Sequence, residues 1–136
     1  MNSILLSIKP YYSDAIYSGS KSIELRRKIG HGFSIGKKIY FYSSSPQKMI
    51  TGEACIFNIH KGPPSEIKTL ALEKSFISSE DYEKYFCNSE NAYGIELHRI
   101  KKYTDTISIE TLRAKGISPP QSFRYLTPEA EQAIRK

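Results

Sequence analysis

The sequence predicts an α+β domain built on a small, closed or nearly closed sheet of about five or six strands. Three observations lead there. At 136 residues the chain has the length of one domain, 1–136, and can bury a core without disulfides or metal. Strand patterns cluster along it instead of alternating with helices, which argues against a doubly wound parallel sheet. Ten Tyr and six Phe supply bulk for a small core, although only 39% of residues are apolar.

Each element follows from a local signal. The apolar run Ser3–Ile8 predicts a buried strand. Pro10 then suits the first turn of a helix through about Ser18, with Tyr12, Ala15 and Ile16 inward and Gly19-Ser20 as the turn after it. Residues 22–27 alternate, Ile23 and Leu25 on one face, Ser22, Glu24 and Arg26 on the other, which predicts a strand. Three glycines in residues 30–36 read as a loop. Residues 37–43 and 50–59 read as a strand pair across the turn 43–47, with Gly52 marking a bulge. Ser65 is expected to cap a helix with Ile67, Leu70 and Ala71 inward. Residues 78–86 form a shorter helix, Ser78 and Asp81 standing at capping-box spacing. Residues 93–100 read as a strand, 104–109 as a short edge strand, and 111–116 as one helical turn stopped by Gly116. Residues 118–126 are irregular, then strand-like. Thr127-Pro128-Glu129 opens a C-terminal helix: a cap, a proline at the first position and an acid in the first turn.

Composition excludes several classes. Cys55 and Cys87 are too few for a disulfide scaffold and read as ordinary buried or half-buried thiols. His31, His60 and His98 have no partner at ligand spacing and read as surface or satisfied polar groups, so neither a metal site nor a cofactor is expected. No apolar run approaches about 18 residues, the length a membrane helix needs. The short apolar N-terminal stretch lacks a preceding basic segment and does not read as a signal peptide. The expectation is a soluble cytoplasmic protein with no membrane partner. The net charge is +6, with the basic excess at residues 1–50 and 91–136 and an acidic middle. If both ends fold onto one face, that face attracts a polyanion such as nucleic acid; the alternative is ordinary basic scatter.

The stretch from Gly19 to Arg27 carries the clearest chemical signal. Lys21 stands at the mouth of a turn, and Glu24 and Arg26 lie two apart on the strand face that Ile23 and Leu25 do not use. A carboxylate between two cations stays ionised and oriented, and the three could hold a polar ligand in a cleft. The alternative is a solvated strand face with a surface ion pair.

LLSIKP followed by a short helix, GxKxxExR from Gly19 to Arg26, an aromatic strand leading to Ser43-Ser44-Ser45-Pro46, Tyr93-Gly94-Ile95, and PPQSFRYL over 119–126 together resemble the ASCH domain of the PUA-like superfamily, over about residues 3–126. The resemblance implies a small β-barrel with helices closing one end and a helical cap. It also implies a cleft between barrel and first helix, and an association with RNA or a modified nucleoside, through binding or modification chemistry. It puts Lys9, Lys21, Glu24 and Arg26 in the cleft, with Lys21 and Glu24 as candidate catalytic groups. Ser43, Ser44 and Ser45 fall on its far wall, and Arg124 and Tyr125 close it from the tail. A guanidinium beside an aromatic ring suits a phosphate and a stacked base. The alternative for Arg124-Tyr125 is a strand end with the Tyr packed on the barrel.

One ASCH subgroup removes acetyl from N4-acetylcytidine with Gly-x-Lys-x-x-Thr and a Glu from elsewhere. Here Lys21 matches, but Glu24 stands where that mechanism needs a hydroxyl, and Glu66 and Glu73 are only candidates for the second carboxylate. Other relatives act as ribonucleases, a reaction that runs without metal when a base and a cation flank the 2′-hydroxyl and the phosphate. The main expectation is therefore an RNA- or nucleoside-binding ASCH protein, with a nucleoside amidohydrolase or a metal-independent ribonuclease as alternatives.

Overall fold

The computed structural model describes residues 2–135. In chain order it contains β1 (Ser3–Ile8), α1 (Pro10–Ser18), β2 (Ile23–Arg26), β3 (Lys38–Ser43), β4 (Met49–Gly62) and α2 (Pro64–Lys74). There follow α3 (Ser79–Tyr85), β5 (Ala92–Ser108), α4 (Ile109–Ala114), β6 (Phe123–Leu126) and α5 (Pro128–Arg135). The six strands form one curled half-barrel sheet in the order β2-β5-β4-β3-β1-β6, and the fold is α+β. Every pairing is antiparallel except β1 with β3. The strands at the two ends of the sheet, β2 and β6, leave an open seam between them.

Local chemistry sets the helix ends. Pro10 occupies the first turn of α1, where its missing N–H is no loss, and Gly19 ends the helix at φ 89°, a conformation that disfavours any Cβ. The Ser78 hydroxyl accepts from the Asp81 N–H to start α3, Ser108 accepts from Thr111 N–H to start α4, and Thr127 accepts from Ala130 N–H to start α5. Ser65 does not cap α2. Pro64 opens that helix, its preset φ suiting the first turn, and Ser65 lies inside it.

Three apolar clusters hold the layers together. Inside the curl, Ile4, Leu6 and Ile8 of β1 meet Ile39, Phe41, Ile56 and Ile95, with Ile16 of α1 and Phe33 of the glycine loop as plugs. On the outer face, Leu5, Tyr40 and Tyr42 are covered by Leu112 of α4, Ile117 and Ile134 of α5. At the other end of the sheet, Ile23 and Leu25 of β2 pack under Ile67 and Ala71 of α2 and Tyr82 of α3. A chain of hydroxyls, Ser13 to Ser43 at 2.9 Å, Ser43 to Thr51 at 2.8 Å and Thr51 to Tyr17 at 2.7 Å, fastens α1 to β3 and β4.

One strand differs from expectation. Residues 104–109 are not a separate edge strand. Instead, β5 runs unbroken to Ser108 as the partner of β4, its second half mostly exposed, with shifts of register that absorb the curl. Gly52 sits at one of these shifts, where a Cβ would meet the Lys101 carbonyl oxygen and the Tyr17 hydroxyl, each at 2.5 Å.

Candidate functional site

A cavity of about 670 Å³ opens at the seam, where the start of α1, β2 and α3 converge. Its floor is an ionic triad. Glu24 lies opposite Ile95 in the β2–β5 ladder, so it shares the inner face of the sheet, whereas Ile23 lies opposite Glu96 and turns outward beneath the helices. The alternation read from the sequence holds, but the charged stripe faces the concave side and the apolar stripe serves a peripheral core. That is why Lys21 and Glu24, at 3% and 6% exposed, are buried polar residues and not solvated ones.

The triad is tightly coordinated. The Lys21 Nζ lies 2.8 Å from the Ile23 carbonyl oxygen, 3.1 Å from that of Ser75 and 3.3 Å from Glu24 Oε1, one acceptor for each N–H of an ammonium. It also sits 4.9 Å from the Tyr12 ring centre. The other carboxylate oxygen of Glu24 accepts from Arg26 Nε at 2.9 Å, with Arg26 Nη2 at 2.8 Å. Arg26 reaches across the seam as well. It donates from Nη2 to the Ser7 carbonyl in β1 at 2.7 Å and from Nη1 to the Ser122 hydroxyl, just before β6, at 3.2 Å. One guanidinium thus ties β2 to the opposite edge of the half-barrel.

Burial pushes the Lys21 amine below its ordinary range, and the neighbouring Glu24 carboxylate only partly opposes this. Burial on its own would raise Glu24, but Lys21 and Arg26 outweigh it, and the carboxyl lies below its usual range. Burial, then the Asp81 and Glu24 carboxylates, raise the Tyr12 phenol, which stays protonated at neutral pH and available as a donor.

The structure brings together Lys9, Lys21, Glu24, Arg26 and Ser44 around this cavity. Four residues expected there stand elsewhere. Ser43 is wholly buried in the hydroxyl chain between α1 and β4. Ser45 is exposed on the turn beyond the cavity wall. Tyr125 shares the face of Ile4 across the β1–β6 ladder; it packs on Phe33 and accepts from the Gly32 N–H at 2.9 Å. Arg124 is one residue out of phase and points to the opposite face, donating to the Ser118 carbonyl at 3.0 Å. A two-residue period cannot put both side chains into one cleft. Glu66 and Glu73 also lie outside the cavity; the second carboxylate on its wall is Asp81. Of the polar groups read as ordinary, His60 is satisfied by Glu96 at 2.8 Å, while Cys87 is exposed and not half-buried.

Sequence reasoning missed Asp81, Lys84 and Tyr85 of α3, which line the cavity together with Tyr12. Their spacing of three and four residues, which places them on one helix face, was the available signal. The capping role of Ser78 and Asp81 masked it.

Known proteins resemble this chain in sequence and in fold. Residues 1–116 match the family described as Domain of unknown function (DUF365). An ASCH domain-containing ribonuclease from Zymomonas mobilis is 28% identical over 132 residues, 96% of this chain and 88% of that protein. The crystal structure of ASCH from Zymomonas mobilis aligns with a TM-score of 0.90 at 27% identity, covering 97% of this chain and 92% of that one. The N-terminal domain of Staphylothermus marinus McrB aligns with a TM-score of 0.60 at 14% identity, over 97% of this chain and 92% of that one, a likeness of fold alone. The chain belongs to the DUF365 family and is an ASCH domain.

Proposed function

We propose that this ASCH domain binds RNA, one nucleotide of a single strand occupying the cavity at the seam. The observation that carries the reading is the cavity itself. Its volume of about 670 Å³ suits a nucleotide, its walls carry the Tyr12 and Tyr85 rings, and a cation-rich triad forms its floor. Aromatic faces accept a base of any sequence, and cations beside them accept its phosphate. The resemblance to a protein named a ribonuclease, along nearly all of both chains, supports the same class of ligand.

In this reading Lys21 and Glu24 are positioning residues. Both are saturated by protein partners, so they fix Arg26 rather than exchange protons with a ligand. Arg26, Lys9 and Lys84 supply positive charge, and the protonated Tyr12 hydroxyl donates a hydrogen bond.

Cleavage of the bound strand is a second reading, favoured by Asp81 and Lys84, an acid and a cation one helical turn apart on the wall. The ribose 2′-hydroxyl attacks the adjacent phosphorus and its proton passes to the Asp81 carboxylate. The O2′–P bond forms, the P–O5′ bond breaks, and the leaving oxygen takes a proton from the Lys84 ammonium. The products are a 2′,3′-cyclic phosphate and a 5′-hydroxyl. Hydrolysis of N4-acetylcytidine has less support, because position 24 offers a carboxylate already engaged by two cations where a hydroxyl is needed.

The test is fluorescence anisotropy with a short labelled single-stranded RNA in the presence of EDTA, with products read by mass spectrometry. Saturable binding that weakens by about tenfold in Lys9→Ala/Lys84→Ala agrees with the reading. Absence of binding even at low salt overturns it. Asp81→Asn abolishing the cyclic phosphate while binding persists supports cleavage; intact RNA with the wild-type chain removes that second reading.

A further inference from the structure

The seam does not end at Arg26. A second cavity of about 740 Å³ continues beyond it and shares Arg26, Tyr85 and Gln121 with the first. Its chemistry is different. Three consecutive cations, Arg26, Arg27 and Lys28, line it against a single carboxylate, Glu90. The amides of Asn88 and Asn91 and the hydroxyl of Ser122 add donors, so this space is rich in groups that pair with phosphate oxygens.

Arg27 is set in place before any ligand arrives. Its guanidinium lies over the Tyr85 ring at 4.4 Å and donates from Nη1 to the Tyr85 carbonyl at 2.9 Å. A planar fork stacked on a ring loses little freedom when it takes a further hydrogen bond. Tyr85 therefore serves both cavities: it lines the first and holds the cation of the second.

We propose that this second cavity is a phosphate track, and that the ligand of the seam is a chain of nucleotides rather than a free nucleoside. The proposal rests on the RNA-binding reading of the first cavity and extends it. From a nucleotide in the first cavity the seam offers its neighbour a continuous path past Arg26, where Arg27 and Lys28 neutralise the following phosphates. Charge complementarity decides the occupant: an uncharged nucleoside gains nothing from these cations, whereas each phosphate neutralised in a single strand releases about 0.7 of a counterion.

The test compares two ligands on the full chain. One is cytidine 3′-monophosphate, short enough to fill the first cavity alone. The other is a single-stranded oligouridylate long enough to span both. Variants are Arg27→Ala, Lys28→Ala and Lys28→Glu, all at exposed positions, with circular dichroism to verify folding. Each alanine is expected to weaken oligouridylate binding about three- to tenfold and to reduce the slope of log affinity against log salt by roughly 0.7 per lost contact, with a larger loss for Lys28→Glu. Cytidine 3′-monophosphate affinity is expected to stay unchanged in the two Lys28 variants, which touch no residue of the first cavity's aromatic wall. Equal loss for both ligands in those variants, an unchanged salt slope, or wild-type binding of the mononucleotide without tighter binding of the oligomer overturns the track. Failure of the wild-type chain to bind either ligand instead overturns the seam-cavity reading itself, and the track with it.

Discussion

Replacing Glu24 by Gln removes the carboxylate between the buried Lys21 and the half-buried Arg26 and leaves the shape of the floor nearly intact. Glu24 Oε1 lies 3.3 Å from Lys21 Nζ and Oε2 lies 2.8 Å from Arg26 Nη2. At an effective dielectric of about 20, each pair at such distances is worth roughly 5–6 kcal/mol of attraction, against which stands the desolvation of the carboxylate. Stranding a buried charge by removing its partner typically costs about 3–5 kcal/mol. Gln keeps one acceptor oxygen but turns an NH₂ group toward a cation, so we expect a loss of about 3 kcal/mol at neutral pH. For a domain of this length that lowers Tm by about 10 °C, at roughly 3–4 °C per kcal/mol. Thermal and urea unfolding measure it.

The pH dependence identifies the cause. The folded pKa of Glu24 lies below its ordinary value of 4.5. Its stabilisation is therefore complete above that value and is lost as pH falls through the folded pKa. The gap between wild type and Glu24→Gln is expected to be widest near neutral pH and to close below pH 4.5. Lys21 adds a second sign: a folded pKa below the unfolded one makes stability rise with pH between the two, so an alkaline medium relieves the stranded amine of the variant. Equal stability of the two proteins at neutral pH, or a gap that stays constant into acid, would refute a buried, ion-paired Glu24.

Gly52→Ala drives a Cβ to 2.5 Å from both the Lys101 carbonyl oxygen and the Tyr17 hydroxyl; we expect a loss of about 2–3 kcal/mol by urea unfolding, from overpacking and a displaced Tyr17–Thr51 hydrogen bond. Ser43→Ala interrupts the buried hydroxyl chain and is expected to lower stability by about 1–2 kcal/mol while leaving RNA affinity unchanged in anisotropy, which separates its structural part from a ligand-binding one. Lys21→Met leaves the Ile23 and Ser75 carbonyls and the Glu24 carboxylate short of a donor; a loss of about 3 kcal/mol is expected, together with a Glu24 pKa raised relative to wild type and readable as an acid transition at higher pH.

What the sequence made legible was whatever local chemistry decides. Pro10, Gly19, Ser78 and Thr127 mark helix ends through capping groups and preset dihedrals, and the helices begin or end there. The spacing of Lys21, Glu24 and Arg26 was enough to pick out the triad. Decisions made by distant parts of the chain were not legible. The sequence breaks this stretch into strands over 93–100 and 104–109, because nothing local to residues 101–103 says strand; pairing with the backbone of β4 joins them into one. Ser43 reads as a hydroxyl on the cleft wall until Ser13 and Thr51 close on it from other elements. Arg124 and Tyr125 read as a binding pair in sequence, but β1 fixes their register and sends them to opposite faces. For the triad, alternation with Ile23 and Leu25 leaves both a ligand cleft and a solvated strand face open, because a sheet whose two faces are both covered gives its polar stripe no obvious address.

The most direct measurement of the central claim is a two-dimensional amide NMR titration of the full chain with single-stranded RNA. Binding at the seam is expected to shift resonances of residues 7–12, 25–28, 81–85 and 121–122, which approach the two cavities from separate parts of the sequence. It should leave α4 and α5 on the outer face unmoved. Shifts concentrated on α4 and α5, or no shifts at an RNA concentration that saturates in anisotropy, would contradict the account.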